Sequence, residues 1–403
     1  MPTSRDAPER SPVGLIMTGG GARAAYQAGV LSGVLQVLDP ETRHSFRNPF
    51  DIICGTSAGA INAAALACRA HQPHQAIRHL CELWQALRTH DIYYADAPHL
   101  LSTGLQWLGM FGLGWLRPQW SRYAPRSLLD NAPLARMLGH TLSFTRLQTN
   151  LRRGHLQALA ITATAYTTGE HLTFYQARCP ILPWTRSLRR AVACTIGVDH
   201  LLASSAIPFV FPARAILMGD HTLWCGDGSM RQLAPISPAI HLGARRVFVI
   251  GTNYQDETHP GARDLSPPYP NLAQIAGHTL SNIFLDGVSL DMERMGRINE
   301  LLARIPANGL KSESLQPIHT LMIAPSRSLD EIALEHLGEL PRAVRTLFRV
   351  LGVSPRKAEA GGGALVSYLL FETGYTKDLI ALGRADSLSR ADEIIAFFKE
   401  WSA

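Results

Sequence analysis

Short apolar runs alternate along this chain with longer segments in which hydrophobic positions recur at helical spacing. The run 13–19 ends in glycines, which is typical of a buried parallel strand. In 25–38 apolar residues recur every three or four positions, which predicts a helix that ends before Pro40. The segment 50–56 predicts a second strand and 57–70 a second helix. The N-terminal part of the chain therefore predicts a repeated strand–helix order.

The alternation continues to the end of the chain. A turn at 167–170 is expected to join two strands in a hairpin. Further strands are predicted at 156–166, 171–176, 245–252 and 318–325, and further helices at 280–303 and 364–399. The repeated order predicts an α/β fold with a mostly parallel central sheet and helices on both faces.

Two segments rich in proline, glycine and charge interrupt the pattern, at 256–271 and 354–363. They suggest a core unit over 11–255, a part that completes the sheet and adds helices over 256–353, and a linker with a C-terminal helical segment over 354–403. Because strands are predicted on both sides of the first break, it need not separate independent domains.

Composition adds limits on the class of protein. The chain has 403 residues, 46% of them hydrophobic and 17% charged, as in ordinary globular proteins. Its net charge of +6 favours weak attraction to anionic surfaces. No nucleic-acid-binding motif is found, so no nucleic acid partner is expected. The oligomeric state is not predicted.

Cysteine usage and the N-terminal sequence bear on the compartment. The six cysteines form no CxxC pair, which favours a reducing environment. The first twelve residues contain charges and prolines but no apolar core of a signal peptide. We expect a cytoplasmic protein, with peripheral contact with a membrane as an open alternative.

The sequence GTSAG places Ser57 between Gly55 and Gly59, directly after a predicted strand and before a predicted helix. This is the pattern of a nucleophile elbow, a turn so sharp that only small neighbours fit and the serine hydroxyl projects above the sheet. The following helix directs its positive end at the same place. Ser57 is therefore the candidate nucleophile, against the simpler interpretation of a tight turn.

A glycine run after the first strand is a candidate oxyanion site. Gly19, Gly20 and Gly21, followed by Ala22 and Arg23, allow backbone N–H groups to approach a ligand closely. Two roles stay open for the arginine: polarising the oxyanion region, or fixing the loop through an ion pair.

The same run also fits a dinucleotide-binding fingerprint loosely, with Ala24 in the third glycine position. That fingerprint needs an acidic residue at the end of the next strand. Asp39 lies at the right distance along the chain, but it closes a predicted helix.

The candidate base is Asp227, which lies between Gly226 and Gly228 after an apolar segment. An aspartate has an ordinary pKa of about 3.9, so it would have to be buried beside the serine to act as a base. A plain Asp-Gly turn is the alternative. An ordinary Ser-Asp-His triad is also possible, because five histidines follow this aspartate: His241, His259, His278, His319 and His336.

Together, GGGARA, GTSAG and DGS resemble the patatin-like phospholipases, especially bacterial members, in order and context. The segment LLASSAIPFVFPA at 201–213 is similar to the family's sequence upstream of its aspartate, and the resemblance covers about 13–240. The chain departs from the family pattern at Ala24, where glycine is usual, and at Ser229, where glycine or alanine is usual.

The resemblance implies a catalytic dyad of Ser57 and Asp227 without a histidine, an oxyanion loop over 19–23, and no metal or organic cofactor. The expected function is hydrolysis of acyl esters of lipids, as in a phospholipase A, lysophospholipase or esterase. The partner is then a phospholipid or another acyl-ester lipid. A nucleotide-binding oxidoreductase and an inactive patatin-fold protein that binds membranes remain as alternatives.

One apolar segment, 104–126, belongs to none of these motifs. It combines aromatic and aliphatic residues with a cationic flank, as interfacial segments do. The residues concerned are Trp107, Trp115, Trp120, Arg117, Arg122 and Arg126. This segment is a candidate lid and membrane anchor, and packing of the tryptophans in the core is the alternative.

Overall fold

The structure, a computed structural model, describes residues 11–43, 45–96, 127–254, 272–305, 316–350, 352–353 and 363–399. The candidate interfacial segment 104–126 and almost all of the two proline- and glycine-rich breaks lie outside the described residues. The division into three parts remains a prediction.

Ten strands are found in the described residues. They are β1 (Val13–Met17), β2 (Ile52–Thr56), β3 (Ala158–Ala165), β4 (His171–Ala177), β5 (Thr185–Arg186), β6 (Arg189–Ala193), β7 (Arg214–Met218), β8 (His221–Asp227), β9 (Arg246–Ile250) and β10 (His319–Ile323).

The α-helices found there separate these strands and follow the last of them. They are α1 (Ala25–Leu38), α2 (Ala58–Cys68), α3 (Pro73–Ala86), α4 (Thr89–Ile92), α5 (Ala132–Thr141), α6 (Phe144–Arg153), α7 (Val198–Ser204), α8 (Ser237–His241), α9 (Leu272–Ala303), α10 (Leu329–Glu335), α11 (Arg342–Val350), α12 (Gly363–Leu369), α13 (Thr373–Ser389) and α14 (Ala391–Phe398). None of the helices in the described ranges has the length and hydropathy of a membrane-spanning segment.

All ten strands belong to one sheet with the main order β10-β9-β1-β2-β3-β4-β6-β5. The pairs from β10 to β3 are parallel, whereas β3 pairs with β4 in the antiparallel direction. The predicted α/β class with a mostly parallel sheet is confirmed. In parallel sheets of this kind, ligands bind beyond the carboxyl ends of the strands.

Helices cover both faces of the sheet, and β1 shows how the two cores divide. All five residues of this strand are buried. Leu15 and Met17 belong to the large core that includes α1 and α2, whereas Ile16 belongs to the core beneath α8 and α9. Side chains alternate between the two faces of a strand, so a continuous apolar run is what a central strand with two covered faces requires.

The register of the central strands determines where their connections begin. Met17 of β1 lies beside Gly55 of β2, so the glycine run and the GTSAG turn leave the sheet at the same edge. The two motifs are 36 residues apart in sequence, from Gly19 to Gly55, and become neighbours because both strands are parallel.

Candidate active site

Ser57 lies at the turn between β2 and α2 with a backbone conformation of φ 55° and ψ −128°. A positive φ is strained for a residue with a side chain. Both neighbouring glycines are needed, because a Cβ at Gly59 would clash with the Met17 carbonyl oxygen and one at Gly55 with the Gly59 carbonyl oxygen. The Ser57 amide donates a 2.9 Å hydrogen bond to the Ser204 hydroxyl. This is the local geometry of a nucleophile elbow.

Asp227 is the last residue of β8, and its side chain is completely buried. Its Oδ1 accepts a 2.9 Å hydrogen bond from the Ser229 amide, and its own amide donates to the Ala206 carbonyl at 3.0 Å. Its Oδ2 is buried without a hydrogen bond of ordinary geometry. Gly228 follows, and a Cβ there would clash with the Thr162 carbonyl oxygen. The carboxylate is thus fixed on one side and has one oxygen available.

The sheet register brings Ser57 and Asp227 together. Strand β2 pairs with β3 as far as Thr56 beside Thr162, and β8 pairs with β3 from Asp227 beside Ala163. Since β4 occupies the other edge of β3 over the same residues, β2 and β8 share one edge and meet end to end. Successive register positions are about 3.3 Å apart along a strand. The candidate nucleophile and base therefore come from strands that run towards each other.

The environment changes the acidity of the Asp227 carboxyl. Burial raises its pKa to about 6, and the Ser229 amide, which bonds to Oδ1, and the nearby hydroxyls of Ser57 and Ser229 oppose that rise. The Ser57 hydroxyl is thus close enough to affect the carboxyl, although no hydrogen bond of ordinary length joins it to Oδ2. Such loose contacts are common in unliganded sites and tighten when substrate binds. A carboxyl with this pKa is a much better base than an exposed aspartate.

The histidines considered for a triad lie elsewhere. His241 stacks on Trp184, with 4.7 Å between the ring centroids. The His336 ring is hydrogen-bonded to Glu339 and Asp378. His319 is the first residue of strand β10. His278 is exposed on α9, and His259 lies outside the described residues. Within the described ranges, no histidine is hydrogen-bonded to the Asp227 carboxyl.

One histidine that was not among the five candidates does lie near the DGS turn. His171 begins β4 beside Thr164 of β3, is buried, and interacts with the Gly228 backbone. Burial lowers its pKa to about 4, so it is neutral at physiological pH. In β3, Thr164 and Ala163 point to opposite faces of the sheet, so His171 lies on the face opposite Asp227. Only the pairing of β3 with β4 could have revealed its position.

The glycine run follows β1 as predicted from its sequence. The Gly19 carbonyl accepts a 2.7 Å hydrogen bond from Thr252, and residues Gly21–Ala24 form a single 3₁₀ turn in which Ala22 is buried. Gly21 has φ 56°, and a Cβ there would clash with the Tyr368 carbonyl oxygen of α12. In the part of the chain that the structure describes, the amides of Gly20 and Gly21 donate no hydrogen bond to another residue. Both amide N–H groups therefore remain without a protein acceptor there.

Arg23 is buried and points from this loop into the C-terminal helices. Its guanidinium donates to Ser367 Oγ at 2.8 Å and forms an ion pair with Asp330 at 2.5 Å, and its Cζ lies 4.1 Å from the Tyr368 ring centroid. Ser367 in turn donates to Asp330 at 2.7 Å. This geometry favours the second role considered for the arginine, in which it fixes the loop.

The acidic residue of the dinucleotide alternative is already engaged. Asp39 is buried at the end of α1, opposite to the end that follows the glycine run. It accepts hydrogen bonds from Arg43 and from the His74 ring, both at 2.8 Å. Nor do any three His, Cys, Asp or Glu side chains of the described ranges form a group that could bind a metal ion.

A narrow apolar cavity, partly open to solvent, lies beside Ser57 and Gly21. Its lining is almost entirely hydrophobic. It is contributed by α2, α3 and α5 and by the segment after α7, and it includes Ile61, Ala65, Leu83, Leu142 and Ile207. A cavity of this chemistry suits a hydrocarbon chain.

Comparisons with known proteins identify a family. The sequence model of the patatin-like phospholipase family matches residues 15–240, which contain all three motifs. No curated protein sequence matches the chain.

Two solved structures are similar at low identity. Human GIVD cytosolic phospholipase A2 has 11% identity and a TM-score of 0.46, with 99% of this chain and 61% of that chain covered. VipD from Legionella pneumophila has 12% identity and a TM-score of 0.30, with 93% and 67% covered. The chain thus spans about two thirds of the length of these proteins.

Proposed function

The chain belongs to the patatin-like phospholipase family, and from this premise we propose that it hydrolyses acyl esters of lipids with a Ser57–Asp227 dyad. One observation carries the proposal: a strained serine that lines an apolar cavity lies close to a buried aspartate with a pKa of about 6. The site thereby combines a nucleophile, a base with a suitable pKa and a place for a hydrocarbon chain.

In the proposed first step, the Ser57 oxygen attacks the ester carbonyl while Asp227 accepts the hydroxyl proton. The carbonyl oxygen becomes an oxyanion, which the free amides of Gly20 and Gly21 stabilise together with the positive end of α2. The C–O bond to the alcohol then breaks, and Asp227 returns its proton to the leaving oxygen. The products are the free alcohol and an acyl ester of Ser57.

The second step reverses these roles with water. Asp227 accepts a proton from a water molecule, whose oxygen attacks the acyl carbonyl, and the same amides stabilise the second oxyanion. The bond to Ser57 breaks and its oxygen recovers the proton from Asp227. The fatty acid leaves, and the enzyme returns to its starting state without a metal or cofactor.

A fluorophosphonate probe tests the nucleophile directly. We expect the wild-type protein to be labelled at Ser57 and to hydrolyse a short-chain ester, and Ser57→Ala to lose both properties with an unchanged far-UV spectrum. Ser289→Ala is a matched control, because this serine is exposed on α9. Labelling or wild-type hydrolysis by Ser57→Ala would show that another residue reacts.

The test also separates the alternatives. A protein that binds liposomes but is neither labelled nor active would be a membrane-binding member with an inactive site. Ester hydrolysis that survives Asp227→Asn but is abolished at a histidine would indicate a conventional triad.

We further propose transient contact with membranes, because lipid substrates lie in bilayers. Exposed Phe209 supports this proposal, since it lies between Ile207 and Phe211, which line the cavity.

A further inference from the structure

The apolar cavity runs along one face of α2 away from Ser57. Besides the elbow itself, α2 contributes Ala58, Ile61, Asn62 and Ala65 to its wall. Residues spaced by three or four positions lie on one face of a helix, so these residues trace a line parallel to its axis. The polar member, Asn62, is occupied by hydrogen bonds from Trp84 and to Gln27. The cavity wall is therefore effectively hydrocarbon along the helix.

The apolar cavity beside Ser57 adjoins a second space. This second, smaller space is lined by Cys68 and Arg69 on the same side of the fold, and its lining also includes Arg146 and His79. Four residues line both spaces and separate them: Ala65, Leu83, Thr141 and Leu142. The chemistry changes at this partition, from an apolar wall to one with two arginines.

The position of Ala65 on α2 gives the distance from Ser57 to the partition. Ser57 and Ala65 are eight residues apart, which corresponds to about 12 Å at a rise of 1.5 Å per residue. An extended hydrocarbon with bonds of about 1.5 Å advances about 1.25 Å per carbon. An acyl chain attached to Ser57 would thus reach the partition at about ten carbons.

A longer chain would meet an unfavourable environment. Its end would have to displace Leu83 or Leu142 and would then enter the space lined by Arg69 and Arg146, where it would remove water from charged groups. Shorter chains would leave apolar wall exposed and gain less from burial.

We propose that the partition formed by Leu83 and Leu142 limits the acyl group to medium length, with an optimum near ten carbons. This inference rests on the proposed hydrolysis at Ser57. It identifies the substrate class as esters of medium-chain acids and assigns specificity to residues that take no part in the chemistry. Ala65 sets the width of the channel just before the partition.

The experiment measures kcat/KM for p-nitrophenyl esters from four to sixteen carbons. In the wild type, kcat/KM should rise to about ten carbons and fall at least tenfold by sixteen. Leu142→Ala should move the optimum to longer chains by about four carbons. Ala65→Phe should lower the rate with the decanoyl ester at least tenfold and leave the butanoyl rate within twofold, because four carbons reach only about as far as Ile61.

Leu147→Ala is the matched control, since this buried leucine of α6 lies outside both cavities. It loses the same atoms but should keep the wild-type length profile. Ala65→Leu also obstructs the cavity before the partition, with a smaller side chain, in case the phenylalanine prevents folding.

Equal rates with ten and sixteen carbons in the wild type would overturn the inference. So would unchanged profiles in Leu142→Ala and in both Ala65 variants. Failure of the wild type to hydrolyse any ester or to react with the fluorophosphonate would instead refute the proposed function.

Discussion

Arg23 and Asp330 form an ion pair that joins the glycine loop to helix α10, 307 residues away along the chain. The arginine side chain is 4% exposed, and Ser367 of α12 bonds to both partners. The family match ends at residue 240. The glycine loop lies within the matched residues, but the contacts that hold its arginine come from the C-terminal part of the chain, beyond them.

The first prediction follows from this ion pair. Asp330→Asn should lower kcat by about tenfold with little change in KM, because a small displacement of oxyanion donors weakens transition-state binding. Rates should be divided by the concentration of sites titrated with the fluorophosphonate, which corrects for unfolded protein. Glu293→Gln, which breaks the exposed pair with Arg297, should change neither parameter. An unchanged kcat in Asp330→Asn would show that the loop is held without this ion pair.

The second prediction concerns pH. Burial raises the pKa of Asp227 to about 6, and the proposed base must be ionised, so kcat/KM should fall on the acid side with a midpoint near pH 6. The Ser229 amide and hydroxyl both oppose this rise in the pKa. Ser229→Ala removes only the hydroxyl and should therefore move the midpoint to higher pH. A midpoint near 4, or a profile unaffected by the Ser229 substitution, would contradict this assignment.

The third prediction is a gain in stability when the site is disabled. The folded pKa of Asp227 lies above its unfolded value, so its ionisation destabilises the fold at high pH and has no effect below about pH 4. Two pKa units correspond to about 3 kcal/mol. Asp227→Asn should therefore unfold at a higher temperature than the wild type at pH 8, and the difference should shrink to about a third at pH 4.5. A constant difference would exclude this cause.

The fourth prediction tests the glycine loop. Gly21→Ala should abolish hydrolysis, because a Cβ at this position of φ 56° would clash with the Tyr368 carbonyl oxygen and displace the loop or α12. Gly139→Ala is the matched control, since a Cβ added there on α5 would meet no atom within 4 Å beyond its own stretch of helix; it should preserve activity and slightly raise the melting temperature. Full activity in Gly21→Ala would remove the loop from the proposed mechanism.

The central strands and the helices next to them could be predicted from sequence because their patterns are local. Helix α1 begins and ends at the predicted residues, 25 and 38, and β1, β2, β3, β9 and β10 lie within the predicted runs. Continuous burial makes such strands uniformly apolar. Strand β6 was missed because Arg189 and Arg190 occupy its first two positions and leave only a short apolar run. Strand β7 was missed although its last four residues, 215–218, are apolar.

The candidate residues could also be found from local motifs, but their relationship could not. GTSAG and DGS show which serine and aspartate to consider, whereas the shared edge of β3 that aligns them depends on pairings across 106 residues with β2 and 64 residues with β8. The role of Arg23 stayed open for the same reason. Its partners Asp330 and Ser367 carry no pattern of their own, and only tertiary structure brings them to the loop.

The end-to-end meeting of β2 and β8 on β3 also has a kinetic consequence. Ser57 precedes β3 in the chain and Asp227 follows it, so their encounter requires two separate long-range strand pairings. Contacts of this kind form slowly, because loop closure must come first. A partly folded chain with only one of these strands docked would contain an elbow without its base. We therefore expect reactivity towards a fluorophosphonate to appear late during refolding, after helical signal has recovered, and to report the completed central sheet.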